Sequence, residues 1–408
     1  MESLNSLIDR YGIPDILIDH FNIQSKRYSV WGYEEEVMVK SDKIFLNNKP
    51  LESNNILETL QAIIDRWKKS SLFPEVSCVG FISYNFKNLL YPHINFKNYK
   101  EDPFPQLWFC KPKLIKEYSI DYCNVDADCA LSLLQDIPDL SSYQKDINRI
   151  KSYLENGDVY QINYTNPQIY KSNESLPFNI YMSIRSNARP LFGMFLRWKS
   201  FSILSFSPEN FFEVQNHRIS TYPIKGTSKR YTDFNLDRQS KEKLKHSIKD
   251  KAEHLMIVDL MRNDLGKICE FGSVKVKDLY KIESFSTIHH MISEIYGKLN
   301  KNTTEMKIIE SLFPGGSITG APKENAMKII DKIEHYNRKI YTGSMGYIAK
   351  NGDMSFNIAI RTMLQENNYY EYGTGGGIVW DSLSHHERDE AIQKTKILES
   401  IVCHKGLS

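Results

Sequence analysis

The chain has 408 residues, 41% hydrophobic and 25% charged, with Lys+Arg 52 against Asp+Glu 50. That composition is globular, and the length suffices for two or three ordinary domains, or one large domain with a smaller companion. A formal charge of +2 is too balanced for a nucleic-acid binder or a protein drawn to anionic membranes.

No apolar run reaches the ~18–20 residues of a membrane span. The start, MESLNSLIDRYG, lacks the apolar centre of a secretory signal. Six cysteines (Cys78, Cys110, Cys123, Cys129, Cys269 and Cys403) are scattered, with no CxxC and no paired His/Cys spacing. The expectation is a reduced, cytoplasmic protein with neither a disulfide scaffold nor a zinc site.

In chain order, residues 1–130 hold short β-leaning stretches rich in Tyr, Phe, Val and Ile: YSVWGYEEEVMV, KIFLNN, VSCVGFISYNF and QLWFCKPKLIKEY. One helix is predicted at NNILETLQAIIDRWKKS, where Ile56, Leu60, Ile63 and Ile64 recur at helical spacing. Residues 124–141 read as a connector. A helix over SSYQKDINRIKSYLENG follows, with Ser141 or Ser142 as its N-cap and Gly157 at its end. Residues 238–268 read as one long helix. ENAMKIIDKIEHYN reads as another, opened by GAPK, and RDEAIQKTKILESIV as the last. Between them YTGSMGYIA, MSFNIAIRTML and YYEYGTGGGIVW read as strands. Helices that do not alternate with strands predict α+β architecture with a largely antiparallel sheet. Neither a GxGxxG after a strand nor a GxxxxGK[ST] loop is present.

Chemistry concentrates in the second part. Asp250 and Glu253 share one helix face; Glu387, Glu390 and Lys394 share another. Two such carboxylate pairs suit a hard divalent cation, although carboxylates at this spacing are commonly a solvated face. FPGGSITGAPKENA (313–326) and YGTGGGIVWDS (372–382) are dense in glycine. They fit either an anion cradle or a pair of tight turns. Arg361, set in the apolar NIAIRTM, needs an internal carboxylate or an anionic ligand. Glu209, in SFSPENFF, is a carboxyl in an apolar setting and so a candidate proton donor. His289 and His290 in STIHHMIS fit core histidines or ligand contacts. Gln161 and Asn163 in GDVYQINYTNP would orient a polar ligand but cannot act as bases. Lys225, in TYPIKGTSKR, is a solvated cation if its loop is surface and a candidate nucleophile if it is buried.

Taken in order, GDVYQINYT, SPENFF, PIKGTSKR, AEHLMIVDLMRNDLGKI, HHMIS, FPGGSITGAPKENAM, YTGSMGYI, IAIRTM and GGGIVWDS with the carboxylates and lysine beyond it resemble the chorismate-utilising enzymes. That family includes the anthranilate, aminodeoxychorismate, isochorismate and salicylate synthases. The resemblance is dense over 140–402 and faint upstream, chiefly at CVGFISYNF. It implies antiparallel β-sheets packed as a sandwich with helices on the outside. Residues 1–135 would form a smaller N-terminal β-rich region packed on a chorismate-binding catalytic region, 140–402.

The resemblance also implies roles. Water-adding members carry a lysine where this chain has Gln161, and an amide cannot deprotonate water. Anthranilate-forming members resemble PIAGT, whereas the PIKGT of this chain resembles the aminodeoxychorismate-forming branch. The implied reaction converts chorismate and ammonia to 4-amino-4-deoxychorismate through a covalent bond to Lys225, toward para-aminobenzoate and folate. Anthranilate formation is the alternative. Glu209 would be the acid and base. Mg²⁺ would be held chiefly by Glu253 and Glu390, with Asp250 and Glu387 close by; many members have Glu at the position of Asp250. Arg361, Tyr341 and Lys394, with backbone at Gly226, Gly376 and Gly377, would bind the substrate carboxylates. Gln161, Thr227, Ser317 and His290 would complete the lining. With no GxCxG motif in the chain, ammonia is expected from a separate glutamine amidotransferase subunit.

Overall fold

The architecture is that of a computed structural model, described for residues 2–20, 27–97, 102–119, 130–172, 176–285 and 288–403. Its organising element is the long strand Arg27–Lys40, which pairs antiparallel with Leu107–Ser119 and is bulged between Tyr33 and Glu35. Gly32, at φ 66°, begins the bend. A bulge adds an unpaired residue and turns the ladder, so two antiparallel arms leave in different directions.

The first arm runs from Ile16–His20 through Phe192–Trp198, Phe201–Ser207, Thr362–Glu366 and Tyr369–Ile378 to Gln161–Ser172. The second runs from Leu107–Ser119 through Cys78–Ile82, Ser344–Ile348, Met354–Asn357, Asn210–Gln215 and Arg218–Thr221 to Ile288–Lys298. Alternating apolar residues of the two arms meet in one core. Ile18, Met194, Leu196 and Ile203 come from the first arm, and Val79, Phe81 and Met345 from the second. Each such side chain, fully buried, contributes roughly 1.5–3 kcal/mol.

Helices cover the outer faces. Ile56–Ser70, Ile248–Gly266 and Glu305–Leu312 pack on the second arm through Leu60, Trp67, Ile257, Met261 and Ile309. Pro177–Ala188 packs on the first arm through Tyr181 and Ile184. Leu140–Glu155 and Lys323–Ile333 flank Gln161–Ser172 through Ile147, Ile150 and Ile330. The architecture is therefore α+β, an antiparallel sandwich with helices outside, as expected. Among the described residues no helix is long and apolar enough to cross a membrane.

Several local expectations fail for identifiable reasons. The long helix over 238–268 is two helices, Phe234–His246 and Ile248–Gly266. Ser247 takes extended dihedrals and its Oγ accepts from the Asp250 N–H at 3.2 Å, capping the second helix. The helix Leu140–Glu155 is capped by Asp139, which accepts from Ser142 N at 2.8 Å, rather than by Ser141 or Ser142. Part of the supposed connector, Leu131–Gln135, is a strand that pairs with Gln161–Ser172; residues 124–129 lie outside the described ones. MSFNIAIRTML breaks into the strands Met354–Asn357 and Thr362–Glu366. Cys78, Cys110 and Cys269 are free buried thiols. Cys403 is disulfide-bonded, which corrects the expectation of a fully reduced chain.

Candidate active site

The two arms bring their far ends together, and a cavity of about 740 Å³ opens between them. The sixteen residues given roles by the family resemblance all line it: Gln161, Glu209, Lys225, Gly226, Thr227, Asp250, Glu253, His290, Ser317, Tyr341, Arg361, Gly376, Gly377, Glu387, Glu390 and Lys394, joined by Asn163.

Lys225 sits on the strand Ile224–Lys229, opposite Met291, with a register shift between Lys225 and Thr227. Gly226 occupies that shift at φ 76°, a conformation costly for any residue with a Cβ. A Cβ there would also stand 3.0 Å from Asp250 Oδ1 and from a methyl of Leu244. The bulge re-aims the lysine into the cavity and lets the start of the helix Ile248–Gly266 close over the strand. Burial pushes the Lys225 amine below its ordinary value, and Lys394 adds to the shift, while Glu209, Glu253 and Glu390 oppose it.

Glu209 immediately precedes the strand Asn210–Gln215 and is 7% exposed. Ser317 Oγ donates to its Oε1 at 3.0 Å. Burial raises the Glu209 carboxyl, against the opposing pull of Lys225, the Ser317 hydrogen bond and Lys394. Desolvation thus acts on the pair in one sense: it favours a neutral amine beside a protonated carboxyl over the ion pair.

The carboxylates come from two helices. Asp250 and Glu253 belong to Ile248–Gly266, Glu387 and Glu390 to Ser384–Thr395. Burial raises Glu253, with Asp250 and Glu387 repelling it, while Lys249 and Lys225 oppose the rise. Burial likewise raises Glu387, with Glu390 adding to it. Burial acts upward on Glu390, but Lys394 at 2.8 Å together with Lys225 and Lys249 outweighs it and holds this carboxyl below its usual value. Among the described residues no three His, Cys, Asp or Glu form a ready-made metal cage. Four oxygen donors that repel one another at a cavity wall still fit a hard cation that keeps waters and takes further ligands from a substrate.

The remaining contacts are polar. Arg361 is not inside a strand; it sits at the bend between two strands at φ 49°. Among the described residues no hydrogen bond or ion pair holds its guanidinium. Burial lowers His290 to about 4, with Arg361 contributing. That ring is therefore neutral near pH 7, with Nδ1 3.0 Å from Thr227 Oγ1. His289 points elsewhere, to Asp237 and Ser284, as a satisfied core histidine. Gln161 is 1% exposed, and its Oε1 lacks a hydrogen-bond partner among the described residues. Its amide lies where a Cβ on Gly377 would stand, 2.1 Å from Nε2. Lys394 Nζ also donates to Gly375 O at 2.7 Å. Of the two glycine-rich loops, the second lines the cavity directly. The first contributes Ser317 and Ile318, while Gly315 and Gly316 pack against Phe211 and Leu260.

Lining residues that the sequence reading gave no role include Lys249, Tyr372, Gly373 and Gln393. Gly373 passes under the Tyr341 ring, leaving no room for a Cβ. Lys249 had a legible signal, its position four residues before Glu253.

Comparison with known proteins agrees with this arrangement. A family profile described as chorismate binding enzyme matches residues 119–400. The chain is 41% identical over 252 residues to aminodeoxychorismate synthase component 1 of Salmonella typhimurium, covering 62% of this chain and 55% of that protein. It is 34% identical over 284 residues to anthranilate synthase component 1 of Saccharolobus solfataricus, covering 70% and 67%. The chain thus spans little more than half the length of the aminodeoxychorismate synthase relative. The crystal structure of anthranilate synthase component I from Streptococcus pneumoniae superposes with a TM-score of 0.78 at 25% identity, covering 92% of each chain. By the span of the profile match, this protein is a member of the chorismate-binding enzyme family.

Proposed function

We propose that the chain converts chorismate and ammonia to 4-amino-4-deoxychorismate through a covalent bond to Lys225. The observation that carries this reading is the Lys225–Glu209 pair: two desolvated groups facing one cavity, each pushed toward its neutral form. A neutral amine is a nucleophile and a protonated carboxyl is an acid.

The sequence of bonds balances. The Lys225 Nζ lone pair forms a bond to ring C2, the ring double bonds shift, and the C4–O bond breaks. The departing hydroxyl takes the Glu209 proton and leaves as water. Ammonia then bonds to C4, the double bonds shift back, and the C2–Nζ bond breaks. The surplus proton on the new amine returns to Glu209. The pyruvyl ether is untouched.

Arg361 and Tyr341 would receive the substrate carboxylates, with Gln161 orienting the ring through its Oε1; among the described residues neither the Arg361 guanidinium nor that oxygen has a hydrogen-bond partner. Glu253 and Glu390, with Asp250 and Glu387, would hold Mg²⁺, which supplies positive charge against the ring carboxylate. Ammonia would come from a separate glutamine amidotransferase subunit, a reading supported by the "component 1" in the relatives' names.

Anthranilate formation is the second reading, since relatives of that name also match. The test is chromatography with mass detection of the product from chorismate, Mg²⁺ and ammonium. 4-Amino-4-deoxychorismate is expected. Anthranilate as the main product overturns the proposal. Lys225→Ala opens the C2 side of the cavity; undiminished C4 product from that variant removes the covalent step.

A further inference from the structure

Lys249 has no part in the reaction above. It is the second residue of the helix Ile248–Gly266, just beyond the Ser247 cap. A cation there opposes the helix dipole, which favours carboxylates in the first turn. Lysine four residues before glutamate is also the weaker order for a helical ion pair. The pair is loose as well: Lys249 Nζ lies 3.9 Å from Glu253 Oε1, with the lysine side chain 59% exposed. Local helix physics therefore does not account for a lysine at this position.

The cavity does. Lys249 lines it together with Asp250, Glu253, Glu387 and Glu390, and its charge acts on three of those four carboxyls. Lys394 is differently placed. Its amine is anchored by Glu390 at 2.8 Å and by Gly375 O at 2.7 Å. Lys225 points into the cavity from its bulge; of the three lysines acting on the carboxylates, Lys249 is the exposed and loosely held one.

We infer that Lys249 is a displaceable counter-ion: it neutralises the carboxylate wall when no divalent cation is there, and the cation must push it out to enter. The inference rests on the metal assignment proposed above. It has a consequence for order of binding. A substrate bearing carboxylates gives Lys249 another partner, so chorismate eases metal entry in the wild type and does so less once the lysine is gone.

The test uses Mn²⁺ as the probe for Mg²⁺, with free Mn²⁺ read by paramagnetic resonance in wild type, Lys249→Met, Lys249→Arg and Glu253→Gln. Without chorismate, Lys249→Met is expected to bind Mn²⁺ about three- to tenfold more tightly than wild type, and Lys249→Arg about as wild type does. Chorismate should tighten Mn²⁺ binding less in Lys249→Met than in wild type. Equal or weaker Mn²⁺ binding by Lys249→Met overturns the inference while leaving the metal assignment standing. Glu253→Gln that binds Mn²⁺ as wild type does overturns the metal assignment and the inference with it. Since Lys249 is exposed and opposes the dipole, Lys249→Met should melt no lower than wild type. A lower Tm together with weaker binding identifies a structural lysine and overturns the inference too.

Discussion

Asp19 and Glu209 are both buried carboxylates, 0% and 7% exposed, and their surroundings could hardly differ more. Asp19 Oδ1 accepts from Arg185 Nη2 at 2.8 Å and from Tyr118 at 2.6 Å; its Oδ2 accepts from Tyr181 at 3.0 Å and from Arg185 Nε. Both oxygens and the charge are satisfied, and Asp19 raises the Arg185 guanidinium against the pull of burial. Glu209 has one hydroxyl donor, Ser317, and a lysine pushed toward neutrality. Arg361, across the cavity, has no ion-pair partner among the described residues. A closed network rigidifies the first arm of the sandwich. The open one leaves free energy to be recovered when a ligand supplies the missing charges.

That contrast can be broken at either end. Lys225→Met should lower formation of the C4 product at least about 10³-fold, roughly 4 kcal/mol of barrier. Its stability at pH 7, by denaturant unfolding, should be no lower than wild type, because a poorly solvated amine has been removed. Asp19→Ala should do the reverse. Burying Arg185 without this carboxylate costs about 3–5 kcal/mol of unfolding free energy, with turnover per folded molecule retained. A large loss of turnover in folded Asp19→Ala would show that the two regions are not separate.

Smaller effects sharpen the comparison. Glu209→Gln should reduce turnover about 10²-fold and remove the alkaline fall in the rate profile that a raised carboxyl produces. The sign of the stability effect of Lys225 follows from its lowered value. The unfolded amine holds its proton up to 10.5, so the unfolded state binds more protons between the lowered value and 10.5. Wild-type stability therefore gains over Lys225→Met as pH rises through that window, and the advantage of the variant is greatest below it. A gap that stays constant with pH would mean the amine is not desolvated. Ser317→Ala is the mildest change, about 1 kcal/mol in turnover or less. Because that hydroxyl holds Glu209 down, its loss should move the alkaline limb of the profile upward.

What could be read from the linear chain was mostly short-range. The strands Arg27–Lys40 and Tyr369–Ile378 follow from β-branched and aromatic content. The helix Ile56–Ser70 follows from its apolar spacing. The misses were also physical. Ser247 ends one helix and caps the next because its hydroxyl offers Asp250 N–H a partner, and a continuous polar run gives that little weight. Arg361 sits at a left-handed bend rather than in a strand because the chain leaves one ladder for another there. Lys249 was passed over because, inside what reads as one continuous polar helix, a lysine looks like surface until the facing helix with Glu387 and Glu390 is in place.

Composition, motif order and the identity of residue 225 as lysine are properties of the linear chain, and they determined the family resemblance and the chemistry worth looking for. Spacing along the chain reports only neighbours within a turn or a strand. Lys225 and Glu209 are separated by two strands, and Glu253 and Glu390 by more than a hundred residues. Whether such groups are wet or dry, paired or unpaired, is decided by what packs over them. Here that was settled by a bent ladder joining two sheets, a bulge at Gly226, and two helices closing on one cavity.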